Sequence, residues 1–363
     1  MAVHKPAKIQ DVAQRAGVSI STISNALNGR TARMSTDTLA RIEATIAELD
    51  FRPNRAARQL KTGHNPILGL LVPSIANPAF GMLAREVEIA AQEQYGYRVM
   101  LGNTHRSQEK EASFFDDLLA HGVRGVIVCS SLVDQHHLDT AVARGLVVVS
   151  YDRRATPGQA PPVDHVSMDN FRAGELAARH LIEHGHERLA FATPSGRTMS
   201  RSDKIAGFLA AARAAGLAKS ARTLEGKSRM AFGDSEMADL GRALAVGIAA
   251  DRKRPSGIVA VNDMLAIGLL AGLRDCGLRV PEDVSIVGID DLFLAALCRP
   301  ALTSIRSPLP EIARKMVERV IARLADPKVP TEEFLFQPEL VARETVTRRA
   351  CTPSPETRSL RKG

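Results

Sequence analysis

The chain has 363 residues, more than one hydrophobic core usually holds, so two or three compact units are expected. Hydrophobic residues make up 45% and charged residues 24%, an ordinary globular balance, and the longest apolar runs ("GVIVCSS", "GLVVVSY") are too short to span a bilayer. The net charge of +8 sits at the ends: residues 1–61 hold ten Lys and Arg against five Asp and Glu, residues 348–363 hold five against one, and residues 62–347 come to −1.

A basic head on a nearly neutral body points to a polyanionic partner for the head. The segment "MAVHKPAK" has no apolar core, so no secretory signal is expected. Cys129, Cys276, Cys298 and Cys351 form neither a C-x-x-C pair nor a metal-ligand spacing, and are expected as reduced thiols of a cytoplasmic protein.

In chain order, Ile9, Val12, Ala13 and Ala16 make the apolar stripe of a short helix, with Gly17 just past its end. Ser19 is placed to cap a second helix whose inner face is Ile23 and Leu27, and Ser35 a third with Leu39, Ile42, Ile46 and Leu49. Three short helices with a tight turn between the first two describe a helix-turn-helix unit. Ile20, Ser21, Thr22, Ser24 and Asn25 then face outward near the start of the second helix, the end that enters the major groove in such motifs. Hydroxyls reach phosphates or base edges, an Asn amide pairs with adenine, and Ile20 suits a thymine methyl. A nucleophilic role is excluded, because no G-x-S-x-G elbow or activating base accompanies these serines. Next, "FRPNRAARQLKTGHNP" (51–66) opens on a helix-ending Pro. Its basic "NRAARQLK" is too short to hold a helix alone; it either folds on DNA or serves as a plain linker.

From Ile67 onward, short β-branched runs alternate with helical stretches. "ILGLLVP", "YRVMLGN", "GVIVCSS" and "LVVVSYD" are separated by helices near 80–95, 108–121 and 134–144. A second series follows: "HVSMD", helix 170–184, "LAFATP", helices 202–215 and 235–250, "GIVAVND", helix 263–275 and "VSIVGID". This implies an α/β fold of two doubly wound parallel-sheet subdomains with a crevice between them. "LTSIRSP", helix 309–325 and "LFQPELVARET" are expected to cross back and complete both sheets. Ligands of such sheets bind outside the carboxyl ends of strands, where this chain places Asn77, Phe80, Asp152, Asp169, Asn262 with Asp263, and Asp290 with Asp291. Asp and Asn with an aromatic suit a polyhydroxylated ligand, and without Trp the stacking surface falls to Phe80, Tyr151, Phe232 or Phe293. Each acid has a second reading as a helix cap, Asp169 above all. His136, His137, His184 and His186 read as surface or loop positions, and the acidic residues of helices 80–95 and 108–121 as a solvated or dimer-facing surface. With no phosphate loop, nucleophile elbow, metal cluster or dinucleotide fingerprint, neither an enzyme nor a cofactor is expected.

"DVAQRAGVSISTISNALN" (11–28) followed by "RIEATIAELDFRPNRAARQLK" (41–61) resembles the headpiece of the lactose/purine repressor (LacI/GalR) family. The resemblance continues through "GLLVPSIANPAF", "HVSMDNFRAGELAARHLIEHGHERLAFAT", "IVAVNDMLAIGLL" and "LRVPEDVSIVGIDD", covering residue 8 to about 346. It implies that Ile20, Ser21 and Asn25 read the major groove, with Ser19, Thr22, Ser24 and Asn28 close to phosphates. Asn54, Arg55, Ala57, Leu60 and Lys61 become a hinge helix, with Leu60 wedged into the minor groove. Asp290, Asn262, Asp152 and Phe80 become pocket residues, and Lys204 stands where the family usually has Arg, with Arg201 or Arg197 as its substitute.

The expected organisation is a headpiece at 1–53, a hinge at 54–66, a periplasmic-binding-protein-like core at 67–346 and a disordered basic tail at 347–363. Within the core, the subdomains are expected at about 67–163 with 293–325, and 164–292 with 326–346. The function implied is a repressor acting as a homodimer on a palindromic operator, with a sugar or sugar derivative as effector. The tail lacks the leucine heptads that a tetramer of this kind needs. The competing reading is an α/β small-molecule-binding protein or enzyme whose head binds DNA only nonspecifically.

Overall fold

Gly17 ends the first helix, α1 (Ile9–Ala16), in the left-handed conformation at φ 64°, and the Val18 N–H returns to the Ala13 carbonyl at 3.1 Å. Two residues later the Ser19 hydroxyl accepts from the Thr22 N–H at 3.1 Å and caps α2 (Ile20–Leu27). Ser35 does the same for α3 (Thr36–Glu48) through the Thr38 N–H. Val12, Ala13, Ala16, Ile23, Ile42 and Phe51 close the small core these helices share. The Arg15–Glu48 pair, 2.6 Å apart and exposed, ties α1 to α3 from outside.

The computed structural model describes residues 7–27, 29–32, 34–51, 65–134, 136–155, 158, 160–227, 229, 232, 234 and 236–349. The chain divides into two units, Met1–Asn65 and Pro66–Gly363. The expected hinge residues Asn54, Arg55, Ala57, Leu60 and Lys61, together with Asn28 and the tail from 350, lie outside the described residues.

The second unit begins with β1 (Ile67–Val72), α4 (Pro78–Tyr95), β2 (Arg98–Asn103), α5 (Gln108–Ala120), β3 (Gly125–Val128), α6 (His136–Ala143), β4 (Val147–Tyr151) and β5 (Asp164–Met168). It continues with α7 (Asn170–Glu183), β6 (Leu189–Pro194), α8 (Met199–Ala214), β7 (Ala221–Gly226), α9 (Met237–Ala250), β8 (Gly257–Ala260), α10 (Asp263–Asp275) and β9 (Ser285–Asp290). A 3-10 turn (Phe293–Ala296), β10 (Thr303–Arg306), α11 (Leu309–Ala325), β11 (Glu333–Phe336) and β12 (Glu339–Val341) complete it.

Two six-stranded sheets result, ordered β11-β5-β4-β3-β1-β2 and β12-β10-β9-β8-β6-β7. Every pairing is parallel except β10 with β12. The inner strands are continuously buried, as a sheet covered on both faces requires.

The expected subdomain limits need correction. β5 pairs with β4 (Val149 opposite Asp164), so residues 164–168 belong to the first sheet and the chain first crosses at Asp169. β10 joins β9, so residues 293–306 stay with the second sheet and only α11, which packs on β3, β4 and β5, returns to the first. β11 then pairs with β5 and β12 with β10, a third crossing at residues 337–338. The Asp169 N–H donates to the Phe336 carbonyl at 2.8 Å, lashing the first crossing to the third. β7 was not expected: it is an edge strand carrying Arg222 and Glu225, and its partly exposed faces blur the apolar signature of a buried strand.

Two of the histidines expected at surface or loop positions have buried side chains, and His186 lies in the loop after α7. His186 is 1% exposed, bonded to the Ser256 hydroxyl (3.1 Å) and the Thr347 carbonyl (3.2 Å). His137 meets the fully buried Glu111 carboxylate at 2.7 Å, so α5 is not acidic toward solvent alone. Burying either group demands a polar partner, and each has one.

Candidate DNA-reading face and ligand cleft

On the headpiece, Ile23 is fully buried while Ile20, three positions earlier at the helix start, is 45% exposed. Ser19, Ser21 and Asn25 are exposed, and Thr22 and Ser24 half-buried. The Ser19 hydroxyl bonds those of Ser21 (2.6 Å) and Thr22 (2.8 Å), so three hydroxyls cluster where the first N–H groups of α2 point outward. That end is partially positive and presents donors and acceptors to an anion or a base edge, with the Ile20 side chain beside them. The sequence-predicted reading residues that are described therefore share one short helix and its cap.

In the second unit, a cleft of about 660 Å³, counted to its mouth, opens at the carboxyl ends of both sheets. Its lining includes all seven residues predicted from the sequence: Asn77, Phe80, Asp152, Arg201, Lys204, Asn262 and Asp290. Asn77 follows β1 and Asn262 follows β8, and each is both a cap and a cleft residue. The Asn262 Oδ1 accepts from the Leu265 N–H (2.9 Å) and the Asn77 Oδ1 from the Ala79 N–H (3.1 Å). Each Nδ2 is left as a donor without a hydrogen-bond partner among the described residues.

Asp152, at φ 62°, holds its Oδ1 on the Ser167 hydroxyl (3.2 Å) and the Asn170 amide (3.1 Å), leaving Oδ2 to accept from a ligand. Asp290 stands at φ 119°, and desolvation pushes its carboxyl up to about 7, with Lys204 opposing and Asp152 adding to the rise. Ser131 and Arg106 also have positive φ, at 53° and 56°. Four non-glycine residues in this strained region around one cleft are the kind of local cost that functional sites carry.

Residues absent from the sequence prediction complete the site. Arg106, after β2, lies in the cleft with the Arg201 guanidinium, and both hold Asp234, after β7, at 2.8 and 3.0 Å. Burial lowers Arg201 to about 10 against the pull of Asp234. The Asp234 carboxyl, which burial works to raise, is held below its ordinary range by Arg106 and Arg201. Ser131 and Ser200 bridge the two halves, with the Ser200 N–H donating to Ser131 Oγ at 3.1 Å. Tyr151 and Phe80 supply ring surface. Phe293 is 63% exposed and outside the lining, as is Phe232, because the 3-10 turn carries Phe293 outward.

Other acids prove structural. Asp169 caps α7 through the Arg172 N–H (2.9 Å), Asp263 accepts from the Leu292 N–H (2.7 Å) and Ser304 hydroxyl, and Asp291 pairs with Arg343 and Arg306. Arg197 pairs with Glu225 and does not line the cleft. No group of three or more His, Cys, Asp or Glu with metal-binding geometry occurs among the described residues. Nor is any helix among them long and apolar enough to cross a membrane.

α8 brings Arg201 and Lys204 into the cleft because α7 lets it approach. A Cβ on Gly174 would stand 1.9 Å from the Lys204 carbonyl oxygen, and one on Gly207 at 1.9 Å from that of Phe171. Only glycine at both positions allows this crossing distance.

Residues 8–54 match the model of "Bacterial regulatory proteins, lacI family", and residues 178–346 that of "Periplasmic binding protein-like domain". The HTH-type transcriptional repressor PurR of Aliivibrio fischeri is 30% identical over 347 residues, 94% of this chain and 99% of that protein. The lac repressor dimer bound to operator and the anti-inducer ONPF superposes with a TM-score of 0.81 at 25% identity, covering 94% of this chain and all of that one. A lacI-family regulator from Enterococcus faecium with bound ribose superposes with a TM-score of 0.69 at 25% identity, covering 78% of this chain and all of that one. The head model and the full-length likeness to a transcriptional repressor agree, and the chain belongs to the lacI family of bacterial regulatory proteins.

Proposed function

We propose that the protein is a cytoplasmic repressor without enzymatic activity, which holds a palindromic operator as a homodimer and whose grip changes when a sugar or sugar derivative occupies the cleft. The observation that carries this reading is the cleft itself: polar groups from both sheets converge on it, so a ligand there favours one arrangement of the two halves over another. Asp152 Oδ2 and the Asn77 and Asn262 amides offer the acceptors and donors that hydroxyls need, and Phe80 and Tyr151 the ring faces. On the head, Ile20, Ser21 and Asn25 are the base readers, and Ser19, Thr22, Ser24 and Asn28 the phosphate contacts. Asn54, Arg55, Ala57, Leu60 and Lys61 form the hinge that couples the halves of the mechanism, with Leu60 entering the minor groove. The relatives' operator and ribose complexes support both assignments by likeness of fold.

The test is fluorescence anisotropy of labelled DNA from upstream of the protein's own gene, with excess competitor DNA and a panel of sugars. Competitor-resistant binding that one sugar shifts is the expected result. Binding that competitor abolishes and no compound alters would replace this reading with a nonspecific basic head.

A further inference from the structure

Asp234 lines the cleft between two guanidiniums, one from each sheet. Its Oδ2 meets Arg106 Nε at 2.8 Å, and its Oδ1 meets Arg201 Nη2 at 3.0 Å and Arg106 Nη2 at 3.2 Å. Arg106 comes from the first sheet and Arg201 from the second, and all three side chains are more than nine-tenths buried. A carboxylate gripped by two guanidiniums is the strongest form of anion recognition that side chains offer.

Lys204 adds an independent sign. It is 7% exposed and lines the same cleft, where its charge opposes the rise of the Asp290 carboxyl, yet its ammonium makes no hydrogen bond or ion pair to any described residue. An ammonium that opens onto the cleft with no contact partner among the described residues is available to an anion delivered from outside. The cleft thus holds three cations, Arg106, Arg201 and Lys204, against Asp152, Asp290 and Asp234, and loses its balance toward positive if Asp234 turns away.

We propose that the effector is an anion, a sugar acid of the aldonate or uronate class, whose carboxylate takes the seat between Arg106 and Arg201 that Asp234 occupies in this structure. The rest of the molecule then lies toward Lys204 and the hydroxyl-binding groups of the cleft. Asp234 is an internal stand-in: it keeps the two guanidiniums paired and taxes every ligand by the fraction of time it holds the seat. The inference rests on the regulator reading, and narrows its ligand from sugars in general to acidic ones.

The experiment uses the full-length protein and its Asp234→Ala variant. Calorimetry measures binding of matched pairs: glucose with gluconate and glucuronate, galactose with galacturonate, ribose with ribonate. Thermal melts in acetate and in chloride follow both proteins, and operator anisotropy is recorded on the same preparations. Expected are binding of an acid but not its neutral partner, a gain of about tenfold in its affinity in Asp234→Ala, and stabilisation of that variant by acetate beyond chloride. Adding Arg106→Met to Asp234→Ala removes both effects.

Neutral sugars binding where their acids do not would overturn the proposal, as would an Asp234→Ala protein that acetate fails to stabilise over chloride. If no compound of the panel binds, the acetate comparison decides. Operator binding shifted by a neutral sugar would sink the anion while the regulator stands. Loss of specific operator binding with acid binding intact would sink the regulator instead.

Discussion

Arg319 on α11 donates from Nε to Asp164 Oδ1 at 2.8 Å, with both side chains at least nine-tenths buried. Asp164 opens β5, and it also receives Arg323 Nη1 at 3.2 Å and the Glu332 N–H at 3.1 Å. One carboxylate therefore pins the returning helix and the start of the last crossing to the first sheet. Asp164→Ala leaves Arg319 only the half-exposed Glu332 carboxylate at 3.4 Å and takes a carboxylate from Arg323, and breaking such a buried pair costs about 3–5 kcal/mol. Chemical denaturation of the variant checks it, and a loss below about 1 kcal/mol would show that solvent replaces the carboxylate easily.

Asn25 is exposed on α2 while Ile23 beside it is buried, so a substitution at Asn25 separates reading from folding. Asn25→Ala is expected to weaken operator binding by about 1–3 kcal/mol, roughly five- to 150-fold, at one base position. The melting temperature should not move. Anisotropy on single-base operator variants locates the position, and uniform weakening across all of them would assign Asn25 to a phosphate.

Asp290, raised to about 7 by desolvation, links stability to pH. The folded carboxyl stays protonated longer than the unfolded one, whose value lies near 3.8, so its favourable contribution is complete below pH 3.8 and is lost as pH rises through 7. Asp290→Asn should therefore raise the melting temperature relative to the parent at pH 8 and leave it unchanged near pH 4. Equal shifts at both values would mean a packing effect.

His165 and His186 act with the opposite sign. Burial lowers both to about 4, below the 6.5 of the unfolded chain. The stability each contributes is present above pH 6.5 and drains away as pH falls toward 4. Between pH 7 and pH 5 the second unit should lose about 1 kcal/mol per histidine, discounted for solvent access. A His186→Gln variant should show a shallower acid limb in a melting series, and an unchanged limb would exonerate His186.

Gly174→Ala tests the close crossing of α7 and α8. The added methyl meets the Lys204 carbonyl, which is backbone and cannot swing aside. A loss of about 1–3 kcal/mol is expected. Effector affinity should fall with it, because α8 carries both Arg201 and Lys204. Lost stability with untouched affinity would place the strain elsewhere.

Much of this was legible in the amino acids. The headpiece helices announce themselves through caps and stripes, Gly17, Ser19 and Ser35 among them, because these are local interactions. The inner strands are legible because a doubly covered sheet demands apolar runs. Asp234 and Arg106 were not. β7, an edge strand with a mixed surface, left no apolar run, so the residue at its carboxyl end had no strand to belong to. Arg106 follows a strand that was recognised, but its value comes from a partner 128 positions away, and no local pattern encodes that. The sheet membership of β5 and β11 was hidden for the same reason: register across a crossing depends on which edge is open.

The three crossings also set the order in which the molecule can be made. β11, one edge of the first sheet, is contributed by residues 333–336, and β12, one edge of the second, by residues 339–341; β2 and β7 are the opposite edges. A ribosome that has released the first 325 residues has delivered β2 and β7 but neither β11 nor β12. Each sheet then waits with an unpaired strand, β5 in one and β10 in the other, until the last few dozen residues emerge. Contacts so distant in sequence make for slow folding and a long exposure of sticky strand edges. Neither half can be finished on its own, and a chain truncated before β11 should be a client for chaperones rather than a smaller working regulator.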